Sequence, residues 1–443
     1  MKQISFGTDG IRGVANQFPI TVEIAVKLGQ AIVSVMGKGV VIIGGDSRKS
    51  SPMLMQAVAA GVASAGGDAK LVGLIPTPGV SFLVRQEKAA CGVVVSASHN
   101  PAPDNGLKLF NAHGEKPSDN TQMRIEQEIN RKETDTLPTG SNIGSVEEFG
   151  EGINLYIEYL ATLMPRFKEM PFSLAVDGAN GSTSPVISRL FSLKNLSLHI
   201  ENNTPDGINI NDNCGALYPE HIAKITRNIG ADMGMAIDGD GDRLIICDEK
   251  GRVLDGDVIM GMIALWLKQK GELANNTVVT TIMTNAGLNL FFKAHNITMV
   301  RANVGDREVY KLMQKSGAIF GGENSGHLIF KNYLPTGDSL LAAIQVMKMI
   351  QESGKPLSEL SQDIKLFPTK STTVRIADKP AIETLPTLTT VIKKVENAVA
   401  PGRIIVRYSG TEPVLRVTVE ARTEKEAIDG MNTIAEEAKR VLQ

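Results

Sequence analysis

The stretch VVIIGGDSRKSSPMLMQAVAAGVASAGGDAKLVGLIPTP, residues 40–78, predicts a strand, a helix and a second strand in sequence. Its first apolar run, 40–46, ends in two glycines and an aspartate, as buried strands often do. Residues 52–66 have a helical pattern, and a new apolar run starts at residue 69. Strands that alternate with helices in this way are typical of α/β folds with parallel or mixed sheets.

Other parts of the chain repeat this arrangement. An apolar strand followed by small polar residues recurs in CGVVVSASHNP (91–101), SLAVDGANGS (173–182) and GMAIDGDGDRLIIC (234–247). We predict three similar α/β domains with mixed sheets and a smaller α+β C-terminal domain, with the active-site cleft between all four. The predicted boundaries are 1–155, 156–254, 255–366 and 367–443.

Composition excludes several functional classes. The 443 residues include 46 Lys plus Arg and 48 Asp plus Glu, so the formal charge is −2. That balance argues against the broad basic face that nucleic-acid binding needs. The chain contains no apolar run near the roughly 18 residues that suggest a membrane span, and its start lacks the apolar core of a secretory signal. Three cysteines without CxxC spacing argue against a zinc site. We therefore expect a cytoplasmic protein.

The loop Asp238-Gly-Asp240-Gly-Asp242-Arg243 predicts a metal site. Three carboxylates at alternate positions in a glycine-rich loop can direct their oxygens at one hard cation such as Mg²⁺. An EF-hand is the alternative, but Arg243 stands where that loop needs glycine, and the flanking residues have strand patterns instead of helical ones. The other alternative is an acidic surface turn.

A candidate nucleophile lies in Ser96-Ala-Ser98-His99-Asn100-Pro101. A serine that follows a buried strand in a tight turn is well placed to accept a phosphoryl group. An Asn-Pro turn with local hydrogen bonds is the structural alternative. Spacing leaves Ser96 and Ser98 as equal candidates, because strand alternation places both on one face.

Three further glycine-rich loops carry polar side chains. Residues 321–327, GGENSGH, combine a carboxylate, a hydroxyl and an imidazole, which suits sugar hydroxyls. Residues 407–413, RYSGTEP, offer a guanidinium, hydroxyls and backbone N–H groups, which suit a phosphate. GTDGIRG (7–13) presents Arg12. A metal loop, a nucleophile, a sugar loop and a phosphate loop in four successive blocks together predict an enzyme that acts on a sugar phosphate.

These motifs resemble the α-D-phosphohexomutase superfamily, and the resemblance extends over nearly the whole chain. GTDGIRG, SASHNP, DNGLK, DGDGDR, GGENSGH and RYSGTEP occur in the family's order and at its approximate spacing. GTDGIRG, DGININDNCG (206–215) and VGDREV (304–309) are similar to the glucosamine branch of the superfamily. Asn324 departs from the family pattern, which usually has Gln there.

The resemblance implies roles for individual residues. Ser98 matches the family's phosphoserine, which settles the choice between the two serines, and Lys108 matches a lysine that assists proton transfer. The remaining matches are the catalytic-site residues Arg12 and His99; the Mg²⁺ ligands Asp238, Asp240 and Asp242, to which the phosphoserine adds an oxygen; and the substrate-binding residues Arg243, Glu323, Ser325, His327, Arg407, Ser409, Gly410 and Thr411.

The implied reaction interconverts glucosamine 6-phosphate and glucosamine 1-phosphate through phospho-Ser98 and glucosamine 1,6-bisphosphate. It requires Mg²⁺ and a glucosamine or glucose 1,6-bisphosphate primer, and Lys108 or His327 would act as the general base. The product would supply UDP-N-acetylglucosamine synthesis. We expect a homodimer whose only ligands are small sugar phosphates, with no nucleic-acid or membrane partner.

Two alternatives remain open, and a third does not fit the residues. A phosphoglucomutase or phosphomannomutase of the same superfamily would use every catalytic residue named above. A Mg²⁺-dependent sugar phosphatase would use the same loops but let water attack. A sugar-phosphate sensor that has lost catalysis would lack a nucleophile or a metal ligand, and this sequence lacks neither.

Overall fold

The structure, a computed structural model, describes residues 3–7, 9–131, 136–167, 171–192, 196–409 and 413–442. Close packing divides the chain into two units, Met1–Met283 with Met299–Ser361, and Thr284–Thr298 with Gln362–Gln443. The first unit holds three mixed sheets and the second holds a small antiparallel sheet. Three mixed sheets with flanking helices and a smaller α+β region with an antiparallel sheet confirm the predicted fold class.

The first sheet has the strand order β1-β5-β4-β2-β3-β6. Strands β2, β3, β4 and β6 are parallel to one another. At one edge, β5 pairs antiparallel with β4 on one side and with β1 on the other. The strands are β1 Ile11–Val14, β2 Val40–Gly45, β3 Asp68–Leu74, β4 Cys91–Val95, β5 Asp104–Asn111 and β6 Val146–Glu148, and the helices are α1 Val22–Met36, α2 Ser51–Ser64, α3 Thr77–Gln86 and α4 Asp119–Asn130.

The strand–helix–strand prediction for residues 40–78 is confirmed by β2, α2 and β3. Strand β2 is covered on both faces, which explains its continuous apolar run. Val41 and Ile43 pack with α1 and α2 in one core, whereas Ile42 packs with residues of α3 in another. Strand β2 therefore presents only its ends, where polar residues follow it in the chain.

The second sheet has the order β11-β10-β9-β7-β8, with β7, β8 and β9 parallel. Its elements are α5 Gly152–Leu163, β7 Phe172–Asp177, α6 Ser184–Phe191, β8 Leu196–Glu201, α7 Pro219–Ile229, β9 Met233–Ile237, β10 Leu244–Asp248 and β11 Val253–Leu254. The predicted metal loop connects β9 to the antiparallel β10. The residues on both sides of this loop form strands, as predicted, and not the helices that flank an EF-hand loop.

The third sheet has the order β13-β12-β14-β15, in which β12 and β14 are parallel and β15 is antiparallel to β14. Its elements are α8 Gly256–Gln269, β12 Thr277–Thr281, β13 Thr298–Ala302, α10 Asp306–Ser316, β14 Phe320–Gly322, β15 Leu328–Phe330, α11 Ser339–Ser353 and α12 Leu357–Leu360. The loop 323–327 is the turn between β14 and β15.

The second unit has its own core, between an antiparallel sheet of order β16-β18-β17 and two long helices. Its elements are α9 Ala286–Ala294, β16 Thr369–Arg375, α13 Pro386–Val399, β17 Arg403–Tyr408, β18 Val414–Glu420 and α14 Glu424–Leu442. Helix α9 groups with this unit, although its residues lie within the predicted third domain. The four domain boundaries stay a prediction. Among the helices of the described residues, none combines the length and apolarity that a membrane crossing requires.

Candidate active site

The loops after β4 and β9 and the turn after β14 meet within the first unit. The Ser98 hydroxyl donates a hydrogen bond of 2.6 Å to Asp238 Oδ2. Asp242 Oδ2 lies 3.6 Å from Nδ1 of His327. The structure thus brings the predicted nucleophile, the predicted metal loop and the predicted sugar loop to one place, although up to 229 residues separate them in the chain.

Ser98 is buried and has a left-handed backbone, with φ of 53°. For a residue other than glycine this conformation costs about 1–2 kcal/mol, so its surroundings must hold it. Its N–H donates to Ser96 Oγ at 2.9 Å. Its carbonyl accepts from Arg48 Nη2 at 3.3 Å and from Asn211 Nδ2 at 2.9 Å.

The two candidate serines have different partners. Ser96 Oγ donates to Asp46 Oδ2 at 2.5 Å, and Asp46 is paired with Arg48 at 3.0 Å. Only the Ser98 hydroxyl reaches Asp238. The alternation that made the two serines equivalent does not apply, because β4 ends at Val95 and the positive φ of Ser98 turns its side chain away.

The three aspartates of the metal loop form a buried cluster in which one oxygen of each lies within 4.8 Å of the others. Burial and the charges of Asp242 and Asp240 raise the pKa of Asp238 well above its usual range. Although burial works against it, the charges of Lys108 and His327 hold the pKa of Asp242 well below its usual range.

This cluster suits a hard divalent cation. No described residue donates a hydrogen bond to Asp240 Oδ1 or Asp242 Oδ1, although both atoms are buried. Buried carboxylate oxygens without donors are costly unless a cation meets them. Three aspartates and a serine oxygen supply the all-oxygen ligand set that Mg²⁺ prefers.

Lys108 lies within this acidic group and is fully buried. Its Nζ is 2.7 Å from Asp240 Oδ2, 2.7 Å from Asp9 Oδ2 and 3.8 Å from Asp242 Oδ2. Burial lowers the pKa of Lys108, but the three carboxylates outweigh it and raise the pKa above the usual lysine value. Lys108 is therefore a cation at neutral pH in this arrangement.

Arg12 reaches the Ser98 loop from β1. Its Nη1 donates to Ala97 O at 3.2 Å, and its Nη2 pairs with Asp9 at 2.5 Å. Asp9 also contacts Lys108 and Lys116, and Lys116 Nζ lies 3.6 Å from Asp306 Oδ2. A chain of alternating charges thus connects the start of the protein with the third sheet.

His99 and Arg243 flank the nucleophile and the metal loop. His99 Nδ1 lies 3.3 Å from Ser98 Oγ. Burial and the charge of Arg243 lower the pKa of His99 to about 4, so its ring is neutral at neutral pH. The Arg243 N–H donates to Asp238 Oδ1 at 3.1 Å, and its Nε lies 4.0 Å from Asp238 Oδ2. The same Nε lies 3.9 Å from Asp242 Oδ1, so the guanidinium pairs with two aspartates of the metal loop.

The sugar loop presents three polar side chains with different surroundings. Glu323 Oε1 accepts the N–H of Gly305 at 3.1 Å, and burial raises the pKa of Glu323. Ser325 Oγ is buried without a hydrogen-bond partner among the described residues. His327 Nε2 accepts the N–H of Gly337 at 3.0 Å. Burial lowers the pKa of His327, but Asp242 and other carboxylates outweigh it and raise that pKa to about 9.

The predicted phosphate loop belongs to the second unit. Arg407 is in β17, and the Ser409 N–H donates to Val414 O at 2.9 Å across the turn to β18. Lys379 Nζ donates to the Ser409 carbonyl at 2.6 Å. Gly410 and Thr411 lie outside the described residues.

Sequence reasoning assigned no role to several residues that support the site. Asp46 and Arg48 hold the Ser98 loop from β2, and Thr77 Oγ1 donates to Asp240 Oδ2 at 2.5 Å. Asp46 ends a buried strand, which is the signal that would have identified it. Thr77 and Lys116 carry no comparable signal, because only tertiary contacts bring them to the site.

Comparison with known proteins supports one family over the whole chain. Models of the phosphoglucomutase/phosphomannomutase family match by domain: alpha/beta/alpha domain I at residues 3–136, domain II at 154–251, domain III at 255–367 and the C-terminal domain at 372–437. The phosphoglucosamine mutase of Syntrophotalea carbinolica is 40% identical over 100% of this chain and 98% of its own length.

Solved structures share the fold. A phosphoglucomutase/phosphomannomutase family protein of Burkholderia thailandensis aligns with a TM-score of 0.81 at 22% identity, over 100% of this chain and 99% of that one. The N-acetylphosphoglucosamine mutase of Aspergillus fumigatus, in complex with GlcNAc-6P and magnesium, aligns with a TM-score of 0.72 at 18% identity, over 100% of this chain and 96% of that one. The chain is therefore a member of the phosphoglucomutase/phosphomannomutase family, and within it of the phosphoglucosamine mutases.

Proposed function

We propose that this chain interconverts glucosamine 6-phosphate and glucosamine 1-phosphate through a phosphoserine at Ser98. The observation that carries the proposal is the Ser98 hydroxyl, 2.6 Å from Asp238 in a buried group of three aspartates. A hydroxyl beside a hard-cation site, with arginines around it, is suited to accept and donate a phosphoryl group. The names of the curated relatives supply the substrate.

The proposed reaction has two phosphoryl transfers in opposite directions. In the first, the bond between phosphorus and Ser98 Oγ breaks, and a new bond forms to the free 1-hydroxyl of glucosamine 6-phosphate. The resulting glucosamine 1,6-bisphosphate turns around without leaving. In the second transfer its 6-phosphate returns to Ser98, and glucosamine 1-phosphate is released.

The residues around Ser98 would stabilise the charge of the transferred group. Asp238, Asp240 and Asp242 would hold Mg²⁺ together with an oxygen of the phosphoserine, and a bound cation there supplies charge neutralisation during transfer. Arg12 and Arg243 add positive charge without a proton to lose. His99 is neutral and close enough to Ser98 Oγ to orient it by a hydrogen bond.

A proton must leave the attacking hydroxyl and later return to Ser98. We propose Lys108 or His327 for this exchange, since both are buried in the site. Neighbouring carboxylates raise the pKa of both groups, but His327 Nε2 accepts the Gly337 N–H, so Lys108 is the group that holds its full set of protons in the described arrangement. A residue in that state is a proton donor first, which suits the return of a proton to the leaving Ser98 oxygen.

The remaining predicted residues would bind the two ends of the substrate. Glu323, Ser325 and His327 would offer sugar hydroxyls a carboxylate, an imidazole and a hydroxyl that has no partner among the described residues. Arg407, Ser409, Gly410 and Thr411 would bind the phosphate that does not react. A phosphate grip that accepts either end of the sugar lets one site serve both orientations of the bisphosphate.

The proposal extends to cofactor, location and assembly. The enzyme would use Mg²⁺, start from a glucosamine or glucose 1,6-bisphosphate primer, work in the cytoplasm as a homodimer and supply UDP-N-acetylglucosamine synthesis. Light scattering on the purified protein tests the dimer. A monomer at micromolar concentration would contradict that part of the proposal alone.

The decisive experiment is the initial mutase rate with Mg²⁺ and the matching bisphosphate primer on three substrates: glucosamine 6-phosphate, glucose 1-phosphate and mannose 1-phosphate. We expect a strong preference for glucosamine 6-phosphate. Equal or faster rates on the hexoses would favour the second candidate, a phosphoglucomutase or phosphomannomutase, which the four matching family models keep open. Release of inorganic phosphate in step with substrate loss would instead indicate a phosphatase.

A further inference from the structure

The loop 206–213 of the second sheet contacts the nucleophile loop of the first. It belongs to the DGININDNCG stretch, whose residues have no part in the proposed chemistry. Asn211 Nδ2 donates to Ser98 O at 2.9 Å and to Asn100 O at 3.1 Å. Because both partners are carbonyl oxygens, only the nitrogen of the amide can face them, which defines the orientation of this side chain.

We propose that Asn211 is a positioning residue for the nucleophile, and this rests on the proposed function of Ser98. Asn211 does not touch the Ser98 hydroxyl. It holds the carbonyl of the same residue, whose backbone is in the strained left-handed region. Without this hydrogen bond the Ser98 backbone would be freer to leave the left-handed region, and a change of φ at Ser98 would move its side chain, and so its hydroxyl, away from Asp238.

The metal loop leaves room for this amide. A Cβ at Gly239 would lie 2.7 Å from Asn211 Nδ2 and 2.8 Å from Ser98 O, too close for either atom to stay where it is. Glycine at this position therefore lets the amide and the Ser98 carbonyl meet directly behind the aspartates. The Asn211 amide therefore packs against Gly239 of the metal loop while it bonds to the Ser98 carbonyl.

The loop that carries Asn211 is attached to two neighbouring loops. Its N–H donates to Ala179 O at 3.0 Å, and the neighbouring Ile210 is buried. Lys49, next to the Arg48 that donates to the same Ser98 carbonyl, donates its N–H to Gly207 O at 2.8 Å. The amide is therefore presented by a firmly attached loop.

The test compares N211D with N213D. Aspartate has the size of asparagine and tolerates positive φ, which is 58° at residue 211, but it cannot donate to a carbonyl. Asn213 offers a matched control, because it has φ of 52° in the same loop, is exposed, and bonds only to Asp212 among the described residues. N211G is the second variant, since it keeps the backbone and removes the amide.

The measurement is single-turnover transfer from phosphorylated enzyme to glucosamine 6-phosphate, with phosphoserine followed by intact mass. We expect N211D and N211G to transfer the phosphoryl group about tenfold to a hundredfold more slowly than wild type, because the reacting oxygen would be misplaced. N213D should transfer it at a rate within about twofold of wild type. The Kd of the unphosphorylated variants for glucosamine 6-phosphate and their melting temperatures should stay near the wild-type values.

Two results would overturn the inference. One is transfer at the wild-type rate in N211D and N211G. The other is slower transfer that is fully explained by weaker binding of glucosamine 6-phosphate and a lower melting temperature in both variants. The role of Asn211 would then be purely structural. Failure of the proposed function is a separate outcome, because wild type and N213D would then transfer nothing to glucosamine 6-phosphate.

Discussion

At the scale of single residues, the site contains a strained backbone conformation and buried polar atoms without hydrogen-bond donors, both of which cost folding free energy. Ser98 has a left-handed φ, and Asp240 and Asp242 each keep a buried oxygen without a hydrogen-bond donor among the described residues. Such strain persists only where neighbours over-determine it. Here the neighbours are Ser96, Arg48 and Asn211, each of which forms a hydrogen bond with the Ser98 backbone.

Replacing the nucleophile tests this assignment. S98A removes the oxygen that accepts the phosphoryl group, so we expect mutase turnover to fall by about a thousandfold or more, with no phosphoenzyme on intact mass. The matched variant S96A loses the hydrogen bond to Asp46 and the acceptor of the Ser98 N–H, but it keeps the Ser98 hydroxyl and should still form phosphoenzyme. Wild-type turnover in S98A would rule out the assignment.

At the scale of elements, helices begin and pack through small features that periodicity does not reveal. Helices α1 and α2 approach so closely that a Cβ at Gly61 would lie 2.1 Å from Val26 O. Asp338 caps the N-terminus of α11, and its Oδ1 accepts the N–H groups of Leu340 and Leu341 at 3.0 Å each. Its Oδ2 accepts the Tyr156 hydroxyl at 2.9 Å, which joins α11 to α5.

The Asp338 cap predicts a pH effect on stability. Burial raises the pKa of Asp338 from 3.8 to about 6, so folding favours its protonated form. Its contribution to stability is complete below pH 3.8 and is lost as pH rises through 6. By linkage, the contribution of Asp338 to the free energy of unfolding is about 1 kcal/mol lower at pH 7.5 than at pH 5.

D338N keeps an oxygen for the helix N–H groups and removes this titration. We expect the stability of D338N relative to wild type to rise by about 1 kcal/mol between pH 5 and pH 7.5, measured from denaturant midpoints. D429N, at an exposed position on α14, is the control and should show no such change. A pH-independent difference for D338N would contradict the shifted pKa.

At the scale of the molecule, the three sheets of the first unit contribute one loop each to a single buried site. Asp238 belongs to the second sheet, Ser98 to the first and His327 to the third. Three carboxylates within 4.8 Å repel one another, and a cation among them removes that repulsion. A ligand that binds only the folded state stabilises it by RT ln(1 + L/Kd), where L is the free ligand concentration, so the effect grows with the logarithm of that concentration.

Mg²⁺ should therefore stabilise the whole fold. At saturating Mg²⁺ we expect the melting temperature to rise by about 2–5 °C over the EDTA-treated protein. In D240N this rise should be lost, whereas D212N, which changes an exposed aspartate of the nearby loop, should keep it. An equal rise in D240N and wild type would place the cation elsewhere.

The sequence alone determined the α/β class, the strand ends at which polar loops emerge, and, through motif resemblance, the family. Those features are local, since apolar periodicity and glycine-rich loops need no knowledge of distant residues. It also predicted the aspartates of the metal loop, because their spacing is itself the signal. The choice between Ser96 and Ser98 needed the resemblance to a known family. The alternation of side chains along a strand gave no guide there, because the strand ends at Val95.

Only the tertiary structure decided how these groups act on one another. The cationic state of Lys108 comes from Asp9 and Asp240, which are 99 and 132 residues away in the chain. The supports of the nucleophile, Arg48 and Asn211, are likewise distant in sequence and bond to a backbone carbonyl, which any residue type offers. A pKa and a strained φ depend on burial and on partners brought together by packing, so no local pattern encodes them.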